Sequence, residues 1–303
     1  MSTVEQTDVI ATPKARHKRG WRRELRETWW RHLIAIIALF FALFPIAYVA
    51  SGAFSGVPSI SAAKLIPDTV TLKNFDTLFN EPATNYARWY ANTMIIAVVT
   101  SLFTVMIGAL AAYAFSRFRF KGRRMGLMSL LMIQMFPQLL LIVAIYLIVL
   151  QTGNVFGFLD LNTLTALIVV YLAGAMGVNT WLLKGFFDTI PAELDESARV
   201  DGATPSQVFW GVVLPLAAPV LAVIALFSFI GVINEFAIAS VILQDNDKFT
   251  LALGLRGFID QKYSEYWGPF AAGVLLTAPP VVLLFLFLQR FIVSGLTGGA
   301  VKG

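Results

Sequence analysis

The residues best suited to chemistry lie in one carboxylate-rich segment, residues 188–215, and at a few polar positions inside long apolar runs. In the segment, Pro191 suits a helix start, and Glu193, Asp195 and Glu196 place negative charge in the first turns, where the helix dipole favours it. Exposed carboxylates can form charge-assisted contacts with a cationic surface. The segment is therefore a candidate docking site for a soluble partner, with an ordinary capped loop as the alternative.

The same segment contains its own turn. Gly202 suits the end of the first helix, because glycine takes the left-handed conformation there without strain. Thr204 and Pro205 then indicate the N-cap and first residue of a second helix. The pattern predicts a short helix, a turn, and a helix that continues into the next apolar run.

Polar side chains inside the apolar runs form the second set of candidates: Asn92, Gln134, Asn179, Asn234 and Glu235. Polar groups are costly in hydrocarbon, so they face other helices or a water-filled path. Amides match neutral sugar hydroxyls, which makes these residues substrate-path candidates, but amides can equally join helices by bonding a neighbouring backbone. Glu235 needs a partner or a raised pKa. Structural pairing, gating or path lining, and proton relay all remain open for it.

The elements that position these residues follow from composition. Of 303 residues, 57% are hydrophobic and 14% are charged, which is outside the usual balance of soluble domains. Several runs reach about 20 apolar residues, the length a helix needs to cross a bilayer. We predict an all-α membrane protein with six spans, at residues 32–53, 86–115, 125–150, 163–187, 213–243 and 267–293.

Charge predicts the orientation of these spans. Seventeen of the 23 Lys and Arg residues flank one side of the six spans. The positive-inside rule places that side in the cytoplasm, together with both termini and residues 188–215. The basic residues 1–31 are then a cytoplasmic tether, with RNA or lipid binding as the alternative, and no nucleic-acid partner is predicted. Residues 54–85 become an extracytoplasmic loop. The first apolar run is too long for a cleavable signal peptide.

Several kinds of chemistry are excluded. The chain has no cysteine, so it has no disulfide, zinc–thiolate site or thiol nucleophile. It lacks a G-x-x-x-x-G-K-[ST] phosphate loop, and its two histidines, His17 and His32, lie at the basic end. We predict no catalytic residue, no metal and no cofactor on this chain, so ATP hydrolysis must belong to a partner.

Part of residues 188–215 resembles the EAA loop of ABC-importer permeases, whose pattern is E-A-A, three residues, G, nine residues, I-x-L-P. The matching positions are Glu196-Ser197-Ala198, Gly202 and Val212-Val213-Leu214-Pro215. Ser197 and Val212 are mild departures. Further stretches are similar to the maltose/maltodextrin permeases of the MalG type: Asn92-Thr93 and residues 112–123, 133–137, 201–205 and 295–303.

The resemblance implies a type I ABC-importer permease fold, with a five-helix core at residues 86–293 wrapped by the first helix. The implied ATPase-coupling residues are Glu196, Ser197, Ala198, Asp201, Gly202, Leu214 and Pro215. The implied partners are a larger homologous permease (MalF-like), an ABC ATPase dimer (MalK-like) that binds ATP and Mg²⁺, an extracytoplasmic sugar-binding protein and the lipid bilayer.

Two further segments take a role from the same resemblance. Residues 244–266 correspond to a loop that reaches into the sugar-binding protein, so Asp247, Lys248, Tyr263 and Tyr266 are contact candidates; a solvated loop is the alternative. The Gly-rich tail, residues 294–303, corresponds to a tail that contacts the ATPase dimer, with a flexible tail as the alternative.

The implied function is ATP-driven import of maltose/maltodextrin-type oligosaccharides across the cytoplasmic (inner) membrane. Trehalose, cellobiose-type sugars and glycerol-phosphate esters remain open as substrates. An ion-coupled secondary transporter is the rival class, and a non-transport scaffold is a weaker one. The secondary transporter predicts an intramembrane charge network and inverted repeats, and it has no use for the docking segment.

Overall fold

The structure, a computed structural model, describes residues 21–57, 64–82, 84–260 and 266–300. Most of these residues are helical, which confirms the all-α prediction. The helices are α1 (Trp21–Phe54), α2 (Lys73–Asn80), α3 (Tyr86–Arg117), α4 (Arg123–Met135), α5 (Gln138–Gly153), α6 (Leu164–Phe187), α7 (Ala192–Val200), α8 (Pro205–Val208), α9 (Leu214–Leu216), α10 (Ala218–Asn234), α11 (Ala237–Ile242), α12 (Leu251–Asp260) and α13 (Trp267–Ala300).

The number of membrane spans agrees with the prediction once bent helices are counted as pairs. Within the described residues, α1, α3, α6 and α13 are each apolar and long enough to cross a bilayer. Two further apolar stretches are bent: α4 and α5 meet at 106°, and the stretch from Pro205 to Leu216 meets α10 at 77°. Counting each bent pair as one span gives six.

Each bend divides a segment that the sequence predicts as a single span. Residues 125–150 are two helices, because Phe136 is extended (φ −73°, ψ 131°) ahead of Pro137, as the proline ring requires of the residue before it. Residues 213–243 break at Ala217, where Pro219 cannot bond back to the preceding turn. They break again at Glu235, which is extended with ψ 122°.

The helices that contain the first and last spans extend beyond the predicted spans themselves. α1 begins at Trp21 and runs through Pro45, although the first span was expected to begin at residue 32. α13 continues to Ala300, so residues 294–300 extend the helix, since no proline follows Pro280 to end it. Residues 1–20 and 301–303 lie outside the described residues.

The chain forms two compact units that divide after Tyr48. In the first unit the large apolar side chains of α1 from Trp29 to Ile46 are exposed; Phe41, for example, is 82% exposed. A helix that is apolar all round in this way is suited to lipid.

In the second unit, α3 packs against α6 and α10, and α13 packs against α10 and α2. Helix α3 contributes to three buried apolar clusters, centred on Ile96, Ala109 and Trp89. The cluster around Ala109 also receives Val208, Phe209 and Val213, so the docking segment is built onto the core of the unit.

The orientation of the spans can be tested with a reporter that is active only in the cytoplasm. Because the charge count places both termini in the cytoplasm, we expect activity when the reporter follows Gly303 or Asp201 and silence when it follows Gly153. Activity at Gly153 with silence at Gly303 would reverse the topology.

Candidate functional site

Helix α7 and the turn after it form a self-contained knob, which we define as residues 192–204. Gly202 has φ +86°. The N–H of Gly202 donates to the Arg199 carbonyl at 3.0 Å, and the N–H of Ala203 donates to the Ala198 carbonyl at 2.9 Å. This pair of bonds is a Schellman motif, which satisfies the last carbonyls of the helix. The prediction that Gly202 ends the helix is confirmed.

The second helix of the segment starts with a capping box. The Thr204 hydroxyl accepts from the N–H of Gln207 at 3.3 Å, and the Gln207 side chain accepts from the N–H of Thr204 at 2.8 Å. Pro205 occupies the first turn. Phe209–Val213 is then a π-helical turn, as expected where Pro215 has no N–H and its ring crowds the carbonyl four residues earlier.

The structure sorts the predicted coupling residues into two groups. Glu196, Ser197, Asp201 and Gly202 are exposed on the knob, and Pro215 is exposed further along. Ala198 and Leu214 instead pack against the apolar cluster around Ala109. Val200 is 88% exposed beside the four exposed residues of the knob. A single exposed apolar side chain is ordinary on a protein surface, so the case for a docking site rests on the carboxylates and on the shape of the knob.

A buried ion pair, absent from the sequence-based site, anchors the knob to α3. Arg117 Nε lies 2.7 Å from Asp195 Oδ2, and the two side chains are 10% and 5% exposed. Arg117 Nη2 also donates to the Ile190 carbonyl at 3.0 Å. We call these two contacts the Arg117 clamp. Removing one partner of such a pair leaves a buried charge and costs roughly 3–5 kcal/mol.

Three further contacts hold the segment, two at Asp188 and one at Pro205. Ser116 Oγ donates to Asp188 at 2.6 Å, and Lys184 Nζ lies 2.5 Å from the other carboxylate oxygen. Burial raises the pKa of Asp188, but the hydrogen bonds from Lys184 and Ser116 outweigh it and leave the pKa below its usual value. The carboxylate is therefore ionised at neutral pH. At the other end, the Tyr113 hydroxyl donates to the Pro205 carbonyl at 3.3 Å.

The polar residues of the apolar runs do not form one group. Asn92 Nδ2 donates to the carbonyls of Asp247 and Phe249 at 2.9 and 3.0 Å. Gln134 Nε2 donates to the Gly174 carbonyl at 2.6 Å and so joins α4 to α6. Asn179 and Asn234 each donate to a carbonyl one turn earlier in their own helix. These contacts favour structural roles for Asn92 and Gln134.

Glu235 has three hydrogen-bond donors. The Tyr171 hydroxyl donates to Oε2 at 2.5 Å, and the N–H groups of Ile238 and Ala239 donate to Oε1 and Oε2 at 2.7 and 3.1 Å. The carboxylate thus satisfies backbone donors at the start of α11, which would otherwise be unpaired. These contacts favour structural pairing over the other roles considered for Glu235.

A cleft between α3, α6 and α10 brings two of the path candidates together. Its volume is about 270 Å³, and its lining includes Thr100, Tyr171, Asn179, Ser228 and Glu235. Phe227, which is 69% exposed, lies on the same lining. Gln134 lines a separate, mainly apolar groove between α4, α5 and α6. Neither lining includes Asn92 or Asn234.

The described part of this segment, residues 244–260 and 266, is more ordered than a solvated loop. α12 lies within them, and its Leu251, Leu255 and Phe258 are buried in the apolar cluster around Trp89. Among the contact candidates, Asp247 and Lys248 have side chains 46% and 43% exposed. Tyr266 packs against Phe258, with ring centroids 6.1 Å apart. Tyr263 lies outside the described residues.

The sequence of the chain matches a known protein family over more than half of its length. Residues 104–297 match the sequence model of the family described as "Binding-protein-dependent transport system inner membrane component". The chain therefore belongs to this family of multi-pass membrane permeases. It is a transporter subunit of an ABC importer rather than an enzyme.

Individual relatives extend over most of the chain. It is 39% identical over 261 residues to the maltodextrin transport system permease protein MdxG of Bacillus subtilis (strain 168), covering 86% of this chain and 91% of that one. It is 35% identical over 283 residues to the galactooligosaccharides transport system permease protein GanQ of the same organism, covering 93% and 98%. Identity to the maltose/maltodextrin permease MalG of Vibrio vulnificus (strain YJ016) is 38% over 287 residues, covering 91% and 96%.

Solved structures share the fold. A chain of a bacterial ABC transporter involved in the import of the acidic polysaccharide alginate superimposes with a TM-score of 0.67 at 24% sequence identity, covering 90% of this chain and 98% of that one. A chain from the bacterial alginate transporter in complex with its alginate pentasaccharide-bound periplasmic protein has a TM-score of 0.64 at 17% identity, covering 88% and 95%.

Proposed function

We propose that this chain forms half of the membrane path of an ABC importer for maltodextrin-type oligosaccharides in the cytoplasmic membrane. A homologous larger permease forms the other half. An ABC ATPase dimer, which binds ATP and Mg²⁺, docks on the knob, and an extracytoplasmic binding protein delivers the sugar. Closure of the ATPases draws the docked knobs together, and rigid-body motion of the helices switches the access of the path.

The observation that carries the coupling role is the construction of the knob. The C-terminal end of its helix is closed by the Schellman bonds, and its buried Asp195 ties it to α3. Its remaining carboxylates and Val200 are left on the surface. Such a rigid, exposed, partly apolar projection fits a cleft on a partner, and a pulling force applied to it reaches the core instead of unfolding a loop.

The cleft between α3, α6 and α10 supports a role in the sugar path. It combines an exposed aromatic face, Phe227, with the amide of Asn179 and the hydroxyl of Ser228. Mainly apolar surroundings with a few polar groups suit a ligand rich in hydroxyls. Glu235 on the same lining already accepts hydrogen bonds from Tyr171 and from α11. Thr100 Oγ1 is also buried there, with no hydrogen-bond partner among the described residues.

Maltodextrins are proposed as substrates because relatives named for maltose or maltodextrin transport match at 37–39% identity over most of their length. A galactooligosaccharide permease matches at 35% over 93% of the chain, so galactooligosaccharides are the second candidate. The test is uptake of radiolabelled maltotriose by vesicles that contain the complete importer, with unlabelled galactooligosaccharide as competitor. Maltotriose uptake that persists in the presence of the galactooligosaccharide supports the proposal. If the vesicles import the galactooligosaccharide but not maltotriose, galactooligosaccharides replace maltodextrins as the proposed substrates.

The role proposed for residues 244–266 can be tested at two side chains. Replacing the whole segment would delete the buried face of α12 and unfold part of the core, so Asp247→Lys with Lys248→Glu is the better change. We expect this swap to lower binding-protein-stimulated ATP hydrolysis about fivefold at low ionic strength and less at high salt, because rim charges act mainly on association.

A matched control for this swap exists in the exposed pair Lys64–Asp68, whose side chains are 61% and 63% exposed. Lys64→Glu with Asp68→Lys should leave stimulation unchanged. Equal stimulation in both swapped proteins would remove Asp247 and Lys248 from the proposed contact.

A further inference from the structure

Helix α3 is bound at both of its ends to segments proposed to contact partners. One end carries the Arg117 clamp, which holds the knob through Asp195 and Ile190. The other end is bound to residues 246–251. The two partner-facing segments are therefore attached to one helix.

At its other end, α3 is bound to residues 246–251 by four hydrogen bonds. Asn92, which is 5% exposed, donates to the carbonyls of Asp247 and Phe249. The buried Thr93 hydroxyl accepts from the N–H of Leu251 at 2.7 Å. Trp89 Nε1 donates to the Asn246 carbonyl at 2.8 Å. We call these contacts the Asn92 clamp. It ties the backbone of residues 246–251 to α3, while the preceding Gln244 and Asp245 donate their N–H groups to Asn162.

The helix between the two clamps is suited to carrying displacement. About 25 residues separate Asn92 from Arg117, which at 1.5 Å per residue is about 38 Å, close to the thickness of a bilayer with its interfaces. α3 is continuous from Tyr86 to Arg117 and contains no proline, whereas α4–α5 and α10–α11 are broken between these depths. A continuous helix passes displacement to its far end, while a broken one absorbs part of it at the break.

We propose that α3 is the transmission rod of this permease: it couples movement of the knob to residues 246–251. Arg117, Asp195 and Asn92 are positioning residues, which hold the ends of the rod. The inference rests on the proposed coupling function of residues 188–215, and it adds the route by which nucleotide binding on one side of the membrane reaches the binding protein on the other.

The test uses the absence of cysteine in this chain. A Lys248→Cys reporter is then the one thiol that this chain offers to a membrane-impermeant maleimide. Its labelling rate is measured in vesicles that contain the complete importer, with and without a non-hydrolysable ATP analogue. We expect the analogue to change the rate about fivefold or more, the lower end of typical coupling between sites.

Three backgrounds then separate transmission from folding. Asp195→Asn removes the ion pair of the Arg117 clamp, and Asn92→Leu removes two of the four hydrogen bonds of the Asn92 clamp. Both should abolish the response of the Lys248→Cys reporter while the ATPase still co-purifies. Thr104→Val is the matched control, because Thr104 is buried on the same helix and its hydroxyl has no hydrogen-bond partner among the described residues. It should preserve the response.

The outcomes are distinct. Loss of the response in the clamp variants, with the ATPase bound and the Thr104→Val response intact, supports the rod. A response that survives in Asp195→Asn or in Asn92→Leu overturns it, as does a missing response in the parent chain with the ATPase bound. If one clamp variant does not assemble, the other decides the result. An ATPase that fails to bind the parent chain overturns the proposed coupling function, and the rod with it.

Discussion

Glu196→Lys and Gly202→Asp are expected to leave the permease in the membrane and to separate it from its ATPase. A charge reversal at a desolvated interface pair costs about 2–5 kcal/mol, which lowers affinity by well over tenfold. At Gly202 no atom lies within 4 Å of an added Cβ. The penalty there comes from the left-handed backbone, roughly 1–2 kcal/mol, and from the side chain that the partner's cleft must accept.

The measurement is co-purification of the ATPase with each variant, together with sugar-stimulated ATP hydrolysis in vesicles. Glu196→Gln and Gly202→Asn are the matched controls: the first keeps the size of the side chain, and the second tolerates φ +86° better than most residues. Both should retain more ATPase than the corresponding charged variant. Wild-type recovery and stimulation in Glu196→Lys and Gly202→Asp would mean that the knob is not the coupling element, since a solvated loop changes by only about 0.5 kcal/mol.

Glu235→Leu is expected to be the most destabilising single change among the polar residues of the spans. It removes the acceptor for the Tyr171 hydroxyl and for two backbone N–H groups of α11. Each unsatisfied buried donor costs about 1–3 kcal/mol, so the three donors together give roughly 3–9 kcal/mol. The measurement is the midpoint of thermal unfolding of the detergent-solubilised importer.

A graded series separates structure from transport. Glu235→Gln retains one acceptor oxygen and should lose less stability, and Tyr171→Phe removes one donor and should lose least. If Glu235 instead serves the sugar path, Glu235→Leu would unfold at the wild-type midpoint and lose only uptake. That result would reverse the structural assignment.

Local signals explain why so much of the knob is predictable. Pro191, Gly202 and Thr204 act within a few residues of their own positions, and the capping box and Schellman motif follow from them. The helix α12 also has a local signal, because Leu251, Leu255 and Phe258 recur at helical spacing. Charged residues on both sides, such as Asp247, Lys248 and Asp260, are typical of a solvent-exposed loop and obscure this helical spacing.

The Arg117–Asp195 ion pair and the helix break at Glu235 are not predictable from the sequence, because they depend on contacts between distant parts of the chain. From the sequence alone, Arg117 indicates only the orientation of the spans in the membrane. Asp195 indicates only a favourable charge at the start of a helix. Their pairing requires α3 and α7 to meet in space, which no periodicity reveals. The break at Glu235 has the same character, since no proline or glycine marks it. The side chain of Glu235 caps the next helix, and it reaches Tyr171 on α6 to do so.

The closed helix ends of the knob have a consequence for how such importers diversify. The bonds that shape it, from the Gly202 turn to the Thr204–Gln207 box, lie within the chain. The side chains of Glu196, Val200 and Asp201 on its surface take no part in these bonds, so they can vary without removing them. The cleft proposed to meet the sugar, lined by Thr100, is separated from the Arg117 clamp by about half the length of α3. Partner choice and substrate choice can therefore evolve independently, so one ATPase can drive permeases that carry different sugars.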